Sequence, residues 1–192
     1  FYDGDEETET IWLISGIIYN QKEIANKLVP NKANMKLAAL ISTAFLIQGK
    51  NFVKELNGDF SIFIYQKKDH SFFLYHDHMG VRPLYYSAVG KDYYFSSDAL
   101  SLCKSLYSKK IETDFLLNNV IALGLALSPL LADYFKLPTS NVIRILPGHY
   151  IEKNNNNILN HKYWYPEKIK EDKNIDFNTL INTIKPIVED AI

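Results

Sequence analysis

The alternation of apolar and polar positions divides this chain into short strands and amphipathic helices. In 59–66, "DFSIFIYQ", Phe60, Ile62 and Ile64 fall on one face and Ser61, Phe63 and Tyr65 on the other. Both faces are apolar enough for burial on two sides, which predicts a strand inside a layered structure. The turn "KKDH" follows, and "SFFLYHD" returns antiparallel. "LYYSA" and "YYFSS" predict a second hairpin around "VGKD". Nearer the start, "TIWLISGIIYN" reads as a strand breaking at Gly16. "NVIRILPGHYIEKNNNNILNHKYWY" reads as a closing strand set, with its asparagine run as a solvated turn.

Helical periods fill the intervals. Asn20 followed by Glu23 has the spacing of a capping box, predicting a helix over "NQKEIANKL" that Pro30 ends. "NMKLAALISTAFLIQG" predicts a buried helix stopped at Gly49. "KNFVKELNG" adds an amphipathic turn closed by Gly58. Ser97 is placed to cap "DALSLCKSL", and Thr113 and Asp114 open a helical "DFLLNNVIALGL". The tail "DFNTLINTIKPIVEDAI" is amphipathic from Asp176, with Pro186 set to kink it. Strands pairing through short hairpins, in blocks separate from helices, predict an α+β layered sandwich with mostly antiparallel sheets.

Composition narrows the function classes. Among 192 residues, 47% hydrophobic and 22% charged describe an ordinary globular chain, and 13 Tyr with 11 Phe favour sheet. A net charge of −1 gives no basic field for nucleic acid or anionic lipid. One cysteine, Cys103, supports neither an internal disulfide framework nor a thiolate metal cluster. The opening "FYDGDEETETIW" is acidic where a signal peptide is basic, and "VIALGLALSPLL" is too short to span a bilayer. The expected setting is the cytoplasm.

In order, "SGIIYN", "LNGDFSIFIYQ", "HDHMGVRPLYY", "YYFSSDALSL", "VIRILPGHYI" and "HKYW" resemble the class II glutamine amidotransferase domain of asparagine synthetases. The family reads approximately NGEIYN, L-x-G-x-F-A-F-A-x-Y-D, R-D-x-x-G-x-K/R-P-L-Y-Y, F-A-S-E and L-P-P-G-H in the same sequence, and the likeness covers roughly residues 10–166. It implies the αββα sandwich of N-terminal-nucleophile hydrolases. Residues 1–170 are then the amidotransferase-like domain. Residues 171–192 are a linker helix leading toward an ATP-pyrophosphatase synthetase domain, whose S-G-G-x-D-S loop this segment lacks.

The family's glutaminase uses an N-terminal cysteine whose own α-amine accepts the proton. This segment starts at Phe1, and Cys103 is an internal residue on a helix, better read as a small buried side chain. In the family's NGEIYN, asparagine and glutamate help hold substrate and oxyanion. Ser15 and Ile17 stand there instead, with Gly16 alone retained. An acidic residue expected at the start of the long helix is replaced by Lys36. The expectation is a degenerate glutamine pocket with no catalytic residue.

The loop carrying Asp77, Gly80, Arg82 and Pro83 keeps the family pattern, with His76 in place of the usual arginine. It reads either as part of the face meeting the synthetase domain or as a loop pinned by its own hydrogen bonds. His76 and His78 flank Asp77 without a visible third ligand, so no metal site is expected.

The leading expectation is a non-catalytic amidotransferase-like domain within an ATP-dependent amide-forming enzyme of asparagine synthase, β-lactam synthetase or lasso-peptide cyclase type. Its partner is a downstream synthetase domain, with a peptide or amino acid as substrate of the parent. No cofactor belongs to this segment; ATP and Mg²⁺ belong to the downstream domain. Nucleic acid and membrane are not expected partners, and assembly of identical chains stays open. Two alternatives stand beside it. One is a truncated part of a true glutamine-hydrolysing asparagine synthetase. The other is a non-enzymatic module binding a peptide or partner through the aromatic "HKYWYP".

Overall fold

The computed structural model describes residues 2–5, 10–28, 36–106, 142–155, 157–171 and 175–190. The expectations for Pro30 and for the helix after Thr113 lie outside these residues. The first sheet holds β1 (Tyr2–Asp5), β2 (Thr10–Ile18), β3 (Gly58–Gln66) and β4 (Ser71–His76). A shorter sheet holds β5 (Tyr85–Val89), β6 (Asp92–Ser96) and β7 (Val142–Arg144) in the order β6-β5-β7. The chain then returns to the first sheet with β8 (His149–Asn154) and β9 (Asn157–Lys162), giving six strands in the order β1-β2-β3-β4-β8-β9. Every pairing is antiparallel.

Helices α1 (Gln21–Leu28) and α2 (Leu37–Gln48), with the 3-10 turn Gly49–Glu55, cover one face of the larger sheet. Trp12, Ile14, Phe60, Ile62 and Ile64 point into that layer and meet Ile41, Phe45 and Phe52. Phe45 is its hub, with Trp12, Phe52 and Phe73 edge-on at 5.5, 5.8 and 5.4 Å. The opposite face of the same strands builds a second core. Phe63, Phe72, Leu74 and Ile151 meet Leu84, Tyr86, Tyr93 and Phe95 of the smaller sheet side. Two-faced burial of β3 and β4 is therefore the consequence of a helix layer on one side and a sheet on the other. Helix α3 (Ala99–Leu106) packs on the smaller sheet, and α4 (Phe177–Asp190) follows the 3-10 turn Pro166–Lys168.

Several local expectations change. Gly16 does not end its strand: β2 continues to Ile18, and Gly16 takes φ +126 inside it. Asn20 opens α1 through its carbonyl, which accepts from Ile24, but its side chain turns elsewhere. Its amide donates to the Glu55 carbonyl and accepts from the Asn57 N–H, tying the start of α1 to the entry of β3. Asp98, not Ser97, caps α3: its carboxylate accepts from the Ser101 N–H at 3.1 Å. Helix α2 is buried on one side only, with Leu46 and Ile47 exposed on the other.

Candidate amidotransferase-like site

Alternation along β2 sends Trp12, Ile14 and Ile18 into the helix layer and Leu13, Ser15 and Ile17 toward the other sheet. Ser15 lies opposite Ser61 on β3, and Ser61 lies opposite His76 on β4. A polar row thus crosses three strands on the face between the sheets. Beside it a cleft of about 240 Å³ is lined by Leu13, Ser15, Ser61, Phe63, Phe95 and Ser97, among others. Its lining is hydrocarbon and hydroxyl, without a charged side chain among the described residues. Ile17, two positions beyond Ser15 on the same face, stands 51% exposed.

Gly16 is required by the sheet itself. A Cβ there would meet the Asp59 carbonyl oxygen at 1.9 Å, and one at Gly58 would meet the Ile17 carbonyl at 2.2 Å. The two glycines, opposite Phe60 and Ile18 in the register, let β2 and β3 approach where side chains would separate them. The strand end beyond is closed by Tyr19, whose N–H donates to the Asn57 carbonyl and whose hydroxyl donates to Asp59 at 2.6 Å. That donation, with Asp59 as the acceptor, raises the Tyr19 phenol above its ordinary value.

The loop after β4 is built around one buried carboxylate. Asp77 accepts from the backbone N–H of Met79 (2.9 Å), Gly80 (2.5 Å), Val81 (3.1 Å) and Arg82 (3.0 Å). Its own main chain donates to Phe60 and accepts from Gly148. Gly80 takes φ +70, and a Cβ on it would strike Pro147 at 2.6 Å. The Arg82 carbonyl accepts the Ser61 hydroxyl at 2.7 Å, while the arginine side chain is exposed. Pro83 leads directly into buried Leu84. Ser61 therefore joins the two groups of predicted residues: it pairs with Ser15 in register and bonds the loop of Arg82. Of the two readings of this loop, pinning by its own hydrogen bonds is the one the geometry displays for Asp77 and Gly80.

His76 is fully buried. Its Nδ1 lies 2.7 Å from the Ile145 carbonyl and so carries the proton, leaving Nε2 as an acceptor with no partner among the described residues. Burial holds its pKa below the ordinary value. His78 turns away into a ring of Phe60, Tyr163 and Trp164. In the aromatic "HKYWYP" Tyr163 alone is buried and donates to the His76 carbonyl at 2.6 Å, while half-buried Trp164 packs over Gly148. Tyr165 is exposed, with Lys162 and Lys168 over its ring at 5.0 and 3.8 Å. Sequence reasoning missed Ser61, Ser96 and Ser97 in the cleft; a lone serine on the same face as Phe63 and Tyr65 in an apolar strand was the available signal.

The architecture defines the class of protein first. A glutamine phosphoribosylpyrophosphate amidotransferase from Bacillus subtilis, solved with ADP and GMP, superposes with a TM-score of 0.53 at 12% identity, over 85% of this chain and 31% of its own. That likeness gives the fold: an α+β sandwich of the N-terminal-nucleophile hydrolase kind. Residues 4–164 match the glutamine amidotransferase domain family, and the chain belongs to it. Within it the domain is of the asparagine synthetase kind. Asparagine synthetase [glutamine-hydrolyzing] 1 of Bacillus subtilis is 32% identical over 102 residues, 50% of this chain and 16% of the relative. The putative asparagine synthetase [glutamine-hydrolyzing] 2 of Methanocaldococcus jannaschii is 28% identical over 198 residues, spanning 100% of this chain and 37% of its own length. The chain thus spans well under half of the curated relatives it matches.

Proposed function

We propose that this domain has lost glutamine hydrolysis and serves as the non-catalytic amidotransferase-like partner of an ATP-dependent amide-forming domain in a longer enzyme. Ile17 carries the reading. The resemblance calls for a glutamate there, and a hydrocarbon offers no hydrogen bond to a substrate amide or a developing oxyanion. The other side chains agree. Ser15 gives one short hydroxyl where the family has an amide. A cleft of hydroxyls and hydrocarbon has no ionic partner for either end of a zwitterionic amino acid. Lys36, exposed at the start of α2, is a cation at the position where the resemblance calls for a carboxylate to meet the substrate's ammonium.

Without ammonia from glutamine, the amide nitrogen comes from another amine, such as one carried by the substrate itself. That places the parent with β-lactam synthetase or lasso-peptide cyclase types alongside asparagine synthases. Its substrate is an amino acid or peptide carboxylate, and ATP with Mg²⁺ is used by the downstream domain. A cytoplasmic location belongs to the same reading, supported by the single cysteine and by the lack of a membrane-length apolar helix among the described residues. Asp77, Gly80, Arg82 and Pro83 keep a rigid loop whose exposed edge, at Arg82, lies toward the partner domain.

A second reading keeps hydrolysis, treats Ser15 and Ile17 as tolerated replacements, and takes the nucleophile from outside residues 1–192. The names of the curated relatives as glutamine-hydrolysing enzymes favour it. Intact-mass measurement of the full-length protein after incubation with a diazoketone analogue of glutamine separates the two. The proposal expects unmodified mass; a single adduct that glutamine protects against establishes the second reading.

A further inference from the structure

His76 sits where three segments far apart in the chain cross. It is fully buried, opposite Ser61 in the register of β3 and β4. Its Nδ1 donates to the Ile145 carbonyl at 2.7 Å, and a Cβ on Gly80 would lie 3.2 Å from its Cε1. The ring thus lies under the loop built on Asp77 and against the segment 145–148. Beside it the two are joined by the Gly148 N–H donating to the Asp77 carbonyl at 2.8 Å and by Pro147 packed on Gly80. The Tyr163 hydroxyl fixes the His76 main chain from the other end of the fold.

Nε2 of this ring has no partner among the described residues, and neither has the buried Nε–H of Arg144 on β7. A proton on Nε2 would add an interior donor with no acceptor to meet, together with a charge. The charged and titratable groups around the ring are Asp77 and His78 of its own loop, Arg144, His149 on β8 and the Tyr163 phenol. Asp77 favours an imidazolium, but its carboxylate is already engaged by four backbone N–H groups. Arg144 opposes the cation, and burial pushes the Tyr163 phenol up, so it stays neutral. His149 turns its Nδ1 to the Pro147 carbonyl at 2.8 Å. Burial outweighs the favourable contacts and holds the folded His76 ring below its ordinary value. The resemblance puts an arginine at this position, whose charge is fixed; a histidine's charge is not.

We propose that His76 is an acid-sensitive latch: protonation of its ring frees the loop 79–82 from the segment 145–148 while the six-stranded sheet stays folded. The Arg82 carbonyl of that loop holds Ser61 in the wall of the cleft, so release loosens the cleft as well. The latch is independent of whether the domain hydrolyses glutamine. An opened loop lets the ring titrate at its ordinary value of 6.5, so opening is favoured as pH falls below that. Deuterium exchange of the full-length protein at about pH 7.5 and about pH 5.5, corrected for intrinsic amide exchange, tests the latch. Protection of 79–84 and 145–148 is expected to fall about three- to tenfold on acidification and to end about tenfold or more below that of β3. His76→Gln and His76→Arg should both abolish this pH dependence, whereas His78→Gln and His149→Gln should keep it. Nitrogen NMR of the wild-type His76 imidazole needs no substitution: its titration midpoint should coincide with the loss of protection. A ring still neutral where protection is lost overturns the proposal. So does wild-type protection that ignores pH, or one common protection for both segments and β3 at the acid pH, the sign of global unfolding. A pH dependence that survives the His76 substitutions, or vanishes with His78→Gln or His149→Gln, overturns it equally.

Discussion

Asp77 holds four consecutive backbone amides with one buried carboxylate, so the loop from Met79 to Arg82 has its conformation set by a single side chain. Replacing it takes the shared acceptor from four donors in a loop whose Met79, Val81 and Arg82 are exposed. Asp77→Ala is expected to cost about 2–3 kcal/mol, since hydrogen bonds to a charged group contribute on the order of 1.5–3 kcal/mol and water takes over part of the donors. Urea unfolding of the variant measures the loss. A change under about 1 kcal/mol would show that the carboxylate does not hold the loop.

His76 gives the second residue-level expectation. Its buried ring has a folded pKa below the model-peptide value of 6.5, because burial disfavours the cation. As pH falls through 6.5 the unfolded chain takes up that proton before the folded one does. The neutral ring's contribution to stability is thus present in full above that value and is lost as pH drops from there through the depressed folded value. His78, also lowered by burial, adds in the same direction. Melting temperature measured from neutral to mildly acidic pH should fall, and His76→Gln should flatten the fall. Parallel curves for the two proteins would contradict the assignment.

At the scale of elements, β2 and β3 are welded at one end of their ladder by two glycines, Gly16 two residues before the end of β2 and Gly58 at the start of β3. Gly16→Ala adds a Cβ that meets the Asp59 carbonyl at 1.9 Å, at φ +126, where an L side chain is already strained. The expected cost is about 2–4 kcal/mol from strain and overpacking together, read by thermal or chemical unfolding. Indifference to the substitution would mean that the strands do not approach as described. Gly16 also illustrates why part of the fold was hidden in the sequence. A glycine in an apolar run reads locally as a strand break, and only the approach of β3 turns it into a requirement for continuity. Asn20 is similar: its side chain has the local option of a cap, yet Glu55 and Asn57 claim it from across the fold. Ser97 and Asp98 are adjacent residues of equal capping ability, so the choice between them depends on where the β6 hairpin delivers the chain. By contrast, β3 and β4 were legible because both of their faces are apolar. The Gly-Lys turn between β5 and β6 was legible because glycine favours its positive φ, here +64 at Gly90.

Across the molecule, motifs far apart in sequence converge where β2 and β4 end and β3 begins. Ser15 faces Ser61, Ser61 bonds the Arg82 carbonyl, Asp77 binds Gly148, and Tyr163 closes over His76. The sequence resemblance identified these segments, and their convergence is what a preserved scaffold requires. On the proposed reading Ser15 and Ile17 stand at the glutamine pocket, and both depart from the family pattern, as His76 and Lys36 also do. A scaffold retained while its substrate contacts change is the pattern expected of a domain kept for its shape and its partner. Ammonia release from glutamine by the full-length protein, with ATP present, tests this most directly. The account predicts a rate equal to the enzyme-free control at every glutamine concentration. Release that saturates with glutamine would contradict it.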